Sequence, residues 1–135
     1  MKQKIYYCEH CGNVAVKTVD SGVGMVCCDD EMRELKPNAG DDPKHVPVVT
    51  ETPDGHIRVE IGREIHPSTP EHHIEFIYLE TEHGGKIRYL DSSYIPIVEF
   101  CGCADKPKAV YTYCNLHGLW KTDLSKETFR VFNCF

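Results

Sequence analysis

The residues of this chain that could do chemistry are its cysteines and histidines, eight of each in 135 residues, more than packing alone asks for. Cys8-Glu9-His10-Cys11-Gly12 has the form of a metal knuckle. Its thiolates at i and i+3 converge on one ion, and Gly12 permits a left-handed turn that can aim backbone N–H groups at the sulfurs. Cys27 and Cys28 complete a set of four. Neighbouring side chains in extended backbone point to opposite faces, so this adjacent pair must be bent to share an ion, and a distorted tetrahedron of four sulfurs is expected. With four sulfurs in place, His10 reads as a solvated knuckle residue. Disulfide pairing is the bland alternative, although a Cys27–Cys28 bridge would be strained. Spacing does not separate zinc from iron at such a site.

A second constellation is spread along the rest of the chain. His45 lies in Lys44-His45-Val46-Pro47, His66 and His72 bracket Pro67-Ser68-Thr69-Pro70-Glu71, and Cys114 and His117 lie in Cys114-Asn115-Leu116-His117-Gly118-Leu119-Trp120. Four imidazoles with one thiolate suit iron better than the closed tetrahedra of structural zinc, and five donors leave a sixth octahedral position free. His73 is expected on the opposite face of its strand from His72, in a structural role. His56 and His83 sit beside turns and read as solvated. Cys101, Cys103 and Cys134 read as free thiols, with a Cys-x-Cys redox pair or an adventitious metal site as the alternative.

Such dispersed donors need a rigid scaffold. Residues 1–36 are cysteine-rich and poor in large aliphatics, and 37–43 (Pro37-Asn38-Ala39-Gly40-Asp41-Asp42-Pro43) form a cluster of turn formers that reads as a linker. From Lys44 onward the pattern is short β-type runs. Val46–Val49 and His56–Ile61 flank the turn Thr52-Pro53-Asp54-Gly55, and His72–Glu80 and Lys86–Leu90 flank Gly84-Gly85. Ile97–Phe100, Ala109–Tyr113 and Phe129-Arg130-Val131-Phe132 add further strands, and no segment shows a helical period. About seven strands in roughly 90 residues predict an all-β chain, with a β-sandwich of immunoglobulin size whose loops can converge on one ion. The Cys-Trp-Cys hallmark of true immunoglobulin domains is absent.

A formal charge of −6 argues against a nucleic-acid partner and means that a small anionic substrate would need local positive charge. No apolar run approaches the roughly 20 residues of a membrane span, and the first residues hold no signal-like apolar stretch, so no membrane association and a cytoplasmic location are expected. In that reducing compartment clustered cysteines favour metal over disulfides.

The order Cys-x-x-Cys, a gap of fifteen residues, then Cys-Cys resembles the desulforedoxin module. The later histidines, with Cys-Asn-x-His-Gly-x-Trp as the most specific string, resemble the catalytic domain of superoxide reductases. Over nearly its whole length the chain is therefore similar to the two-iron desulfoferrodoxin family. The resemblance implies an iron on Cys8, Cys11, Cys27 and Cys28 for electron transfer in residues 1–36, and a β-sandwich over 44–135. There His45, His66, His72 and His117 would hold a ferrous ion equatorially with Cys114 axial. It implies one-electron reduction of superoxide to hydrogen peroxide, with Lys44 attracting the anion and helping to deliver protons. A rubredoxin-like electron donor and a homodimer are further implications. The sequence departs from the family at the residue before that lysine. Pro43 replaces a glutamate that can occupy the sixth site after oxidation, and Asp42 is one position out of register, so the site is expected to stay open.

Two other readings predict different chemistry. A non-catalytic electron-transfer or structural zinc protein would carry zinc on the four cysteines and no open-coordinate metal. A thiol enzyme would use Cys114 as nucleophile and His117 as its base, but no third residue that could orient such a pair is evident.

Overall fold

The computed structural model describes residues 4–38, 44–101 and 105–126, and it divides the chain into two compact units, Met1–Lys36 and Pro37–Phe135. The described residues contain strands and turns and no helix. Pro43, Asp42, Cys103, Cys134 and the expected strand Phe129–Phe132 lie outside them.

In the first unit β1 (Ile5–Tyr7) pairs antiparallel with β2 (Val14–Val16) on one side and β5 (Arg33–Leu35) on the other, while β3 (Val26–Cys27) and β4 (Asp30–Glu31) form a small hairpin. Its described apolar side chains are poorly covered. Ile5 and Cys8 are buried, but Val19, Val23 and Val26 are at least 70% exposed. So small a core cannot offset the entropy of ordering the chain, and a bound ion is the expected staple.

The second unit holds β6 (Pro47–Glu51), β7 (Ile57–Ile61), β8 (Ile74–Thr81), β9 (Gly84–Tyr89), β10 (Ile97–Phe100), β11 (Pro107–Cys114) and β12 (Gly118–Asp123). They form two antiparallel sheets, ordered β10-β7-β6 and β12-β11-β8-β9. Ile57, Val59 and Ile61 of β7 face inward, as their alternation predicts, against Ile77 and Leu79 of β8, Val98 and Phe100 of β10, and Val110 and Cys114 of β11. The β6–β7 hairpin closes where expected, with Gly55 at φ 81° donating its N–H to the Thr52 carbonyl. The next hairpin differs from expectation: it turns at Glu82-His83, and Gly84-Gly85 already belong to β9. Gly85 is needed for close approach instead, since a Cβ there would collide with the phenol of Tyr78.

The topology brings five strand ends together. β6 and β8 begin, β7 ends, and the β11–β12 turn lies at one end of the sandwich. His45 closely precedes β6, His66 follows β7, His72 precedes β8, and Cys114 and His117 flank the turn. Gly62 N–H donates to the Val46 carbonyl, tying the end of β7 to the start of β6, and Thr122 Oγ1 donates to the Pro47 carbonyl (2.6 Å), holding β6 against β12.

Candidate metal centres

In the first unit the Sγ atoms of Cys8, Cys11, Cys27 and Cys28 all lie within 4.8 Å of one another. The knuckle forms because Gly12, at φ 84°, lets its N–H return to the Cys8 carbonyl at 2.9 Å, while Cys8 N–H donates to the Asn13 carbonyl. The expected bend at the adjacent pair is real: Cys28 and the following Asp29 both adopt left-handed backbone, at φ 53° and 64°. Asn13 Nδ2 donates to Cys27 Sγ at 3.5 Å. Backbone N–H groups at Cys11 and His10, with thiols of Cys11 and Cys27, hold the Cys8 thiol down to about 6 despite its burial. The same neighbours act oppositely on Cys27 and Cys28. Hydrogen bonds from Cys11 and Cys8 raise Cys27 and push Cys28 up to about 12. The Cys8 thiolate forms readily, and Cys27 and Cys28 resist joining it. That is the behaviour of a cluster completed by a cation, whose binding releases protons.

The second cluster is a ring of imidazoles. Centroid separations run 5.0 Å from His45 to His66, 4.6 Å from His66 to His72, 4.9 Å from His72 to His117 and 4.6 Å from His117 to His45, with 6.2 Å across the His45–His72 diagonal. His117 Nδ1 stands 3.0 Å from His45 Nε2 and 3.1 Å from His72 Nε2. One ring nitrogen carries at most one proton, so it cannot serve both contacts as a donor. Two nitrogens at right angles about an ion, each about 2.1 Å from it, stand about 3.0 Å apart, which these separations match.

His45, His72, Cys114 and His117 each offer a donor atom within 4.8 Å of the others. His66 lies outside that tight set but belongs to the ring. Its Nδ1–H donates to the Pro67 carbonyl at 2.8 Å, which leaves a lone pair on Nε2, and Nε2 is buried without a hydrogen-bond partner. An orphaned buried acceptor is costly, and a cation would satisfy it. Burial, reinforced by the neighbouring imidazoles and opposed by the Pro67 carbonyl, holds His66 down to about 4. Burial first, then His117 and His45, and further along Lys44, lower His72 as well. Both are neutral at pH 7, the form that ligates. Lys44 itself is exposed, and its charge reaches the ring.

Cys114 Sγ, fully buried, lies 3.7 Å from His117 Nδ1. A thiol with no exposed surface is poorly placed to attack a substrate, and its imidazole neighbour is already turned toward two other rings. The arrangement favours joint ligation over a nucleophile–base pair. Gly118, at φ 80°, closes the three-residue turn that presents both side chains.

Other histidines fall where expected. His73 turns from the ring to place Nδ1 3.0 Å from the Thr69 carbonyl, and His56 and His83 lie near Glu99 and Asp105. Two supporting residues escaped the sequence reading. Trp120 stacks on His45 and donates Nε1–H to the His117 carbonyl at 3.1 Å. Asn115 accepts from His73 N–H at 2.9 Å and donates to the Glu71 carbonyl at 3.0 Å, clamping the His72 loop to the β11–β12 turn. Their only signal was membership of the Cys-Asn-x-His-Gly-x-Trp string.

The family model described as Desulfoferrodoxin matches residues 38–123. Desulfoferrodoxin from Nitratidesulfovibrio vulgaris is 38% identical over 122 residues, covering 89% of this chain and 95% of the relative. Superoxide reductase from Pyrococcus horikoshii is 37% identical over 106 residues, covering 62% of this chain and 88% of its own. Among solved structures, the superoxide reductase from Treponema pallidum superposes with a TM-score of 0.77 at 28% identity, covering 90% of this chain and 98% of that one. The four-cysteine cluster and the histidine ring with Cys114 match the two iron centres of desulfoferrodoxins. A model match over most of the second unit and relatives aligned over nearly the full length show that this chain belongs to the desulfoferrodoxin family.

Proposed function

We propose that this protein is a superoxide reductase in which His45, His66, His72, His117 and Cys114 hold the catalytic iron, and Cys8, Cys11, Cys27 and Cys28 hold a second one. The observation that carries the reading is the closed ring of four imidazoles with a fully buried thiol beside it. Ferrous iron at that position supplies the single electron that, with two protons, turns superoxide into hydrogen peroxide.

The chain's own residues do the rest. His66 and Cys114 are almost wholly buried, whereas His117 and Lys44 are exposed, so the approach for a small anion is from the Lys44 side. On a molecule of net charge −6, the Lys44 ammonium supplies the local attraction superoxide needs and a proton source at the rim. The Pro67 carbonyl holds the His66 tautomer, and Trp120 and Asn115 hold His45, His72 and His117 in register.

In this reading residues 1–36 are the desulforedoxin-like electron-transfer domain, 37–43 the linker and 44–135 the catalytic domain. A rubredoxin-like protein is the electron donor. A homodimer is favoured by the meagre core of the first unit, where Ile5 and Cys8 are the described buried apolar residues. A reducing cytoplasm is favoured by Cys8, Cys11, Cys27, Cys28 and Cys114, which are free thiols.

Metal analysis and visible spectroscopy of the reduced and oxidised protein, followed by addition of superoxide, test the assignment. Iron at both sites and peroxide formation that disappears in Cys114→Ser are expected. A preparation that takes up only zinc, or a Cys114→Ser variant with parental superoxide reduction, would sink it.

A further inference from the structure

The two residues between the first pair of cysteines each reach across to the other half of the module. Glu9 Oε1 meets Arg33 Nε at 3.3 Å, and His10 Nε2 meets Asp30 Oδ2 at 2.6 Å. The second contact joins the knuckle carrying Cys8 and Cys11 to the hairpin carrying Cys27 and Cys28. Asp30 follows directly on the two left-handed residues Cys28 and Asp29, a backbone that side chains adopt reluctantly. With Cys8, Cys27 and Arg33, the pair lines an open groove of about 300 Å³ beside the sulfurs.

We propose that His10 and Asp30 form a clasp across the two cysteine loops that slows loss of the ion from the four-cysteine site. The proposal rests on that site holding a metal. Release requires the knuckle and the hairpin to separate, because two sulfurs sit on each. A hydrogen bond spanning them must break in any such opening, and it also restrains the left-handed loop that would otherwise relax. His10 is thereby a positioning residue that touches no metal, and the ion keeps its four sulfurs with or without it.

The test follows the visible absorption of the four-cysteine iron in the full-length, iron-loaded protein under excess iron chelator. His10→Ala and Asp30→Ala should each lose iron about fivefold faster than the parent, the scale set by an exposed ion pair. Their starting spectra should be unchanged. The double variant should be no faster than either single one, and the exchanged pair His10→Asp/Asp30→His should recover most of the parental rate. Parental release rates in the single variants, or single effects that multiply in the double variant, would overturn the clasp. So would an exchanged pair as fast as the singles. A parent protein without the visible band of iron on four cysteines would overturn the metal assignment and the clasp with it.

Discussion

Trp120 lies nearly parallel to His45, with ring centroids 5.0 Å apart and an interplanar angle of 15°. The same indole donates Nε1–H to the carbonyl of His117, so one side chain braces two members of the imidazole ring from behind. Groups that orient metal-binding histidines without touching the ion matter nearly as much as the ligands. Trp120→Leu, which removes both contacts, should lower superoxide reduction or iron affinity by about 10- to 100-fold. Trp120→Phe keeps a stacking face and should lose less. Stopped-flow rates and iron content of the two variants check this, and equal losses would show that stacking on His45 contributes little.

Asn115 makes a different kind of brace. Its amide bridges the His73 N–H and the Glu71 carbonyl, and its own N–H donates to the His73 carbonyl at 3.1 Å. Asn115→Ala removes the two side-chain hydrogen bonds, each worth about 1 kcal/mol. A loss of about 2 kcal/mol in denaturant unfolding of the second unit is expected, with looser iron binding at the ring. Asn115→Asp keeps the acceptor and loses the donor, so its loss should be intermediate.

Lys44 should act mainly on the rate of encounter. Lys44→Ala is expected to slow the second-order reaction with superoxide about tenfold at low salt, with a smaller difference at high salt where the field is screened. The visible spectrum should be unchanged, since no ligand is altered. Stopped-flow rates over a range of ionic strengths would decide it, and a salt-independent defect would point to proton delivery alone.

The metal-free protein should become less stable as pH falls from about 7 to 5. His66 is held down to about 4 by burial, below the ordinary histidine value of 6.5, and His72 is lowered in the same direction. Between those values the unfolded chain takes up a proton that the folded chain refuses. The stability present above about 6.5 is therefore lost as pH drops toward 4. Thermal melts of the apoprotein at about pH 7.5 and about pH 5 measure it, with the lower Tm expected in the more acidic buffer. His66→Gln, which cannot titrate, should flatten the dependence.

Much of this protein was legible without its fold. Period-two alternation in His56–Ile61 announced β7, and Thr52–Gly55 its turn, because burial of one sheet face writes itself into neighbouring residues. The Cys-x-x-Cys knuckle was equally local. Where the expectation failed, the cause was contact between side chains of paired strands. Gly84-Gly85 looked like a turn, but Gly85 is small because Tyr78, on the partner strand, lies across it. Gly118–Trp120 was read only as part of a motif and opens the edge strand Gly118–Asp123, which pairs with β11.

By itself the sequence determined which atoms are available: four thiols, two at knuckle spacing and two adjacent, four imidazoles and a fifth thiol in family-like strings, and a lysine, preceded by Pro43, before His45. Only the tertiary structure decided how they meet. His45 and His117 are 72 residues apart in sequence yet their nitrogens are 3.0 Å apart, because two sheets end their strands on the same side of one core. Residue identity sets what a side chain can donate. The pairing register of β11 with β8 and β12, and of β6 with β7, sets where it donates, and register depends on burial summed over the whole sandwich.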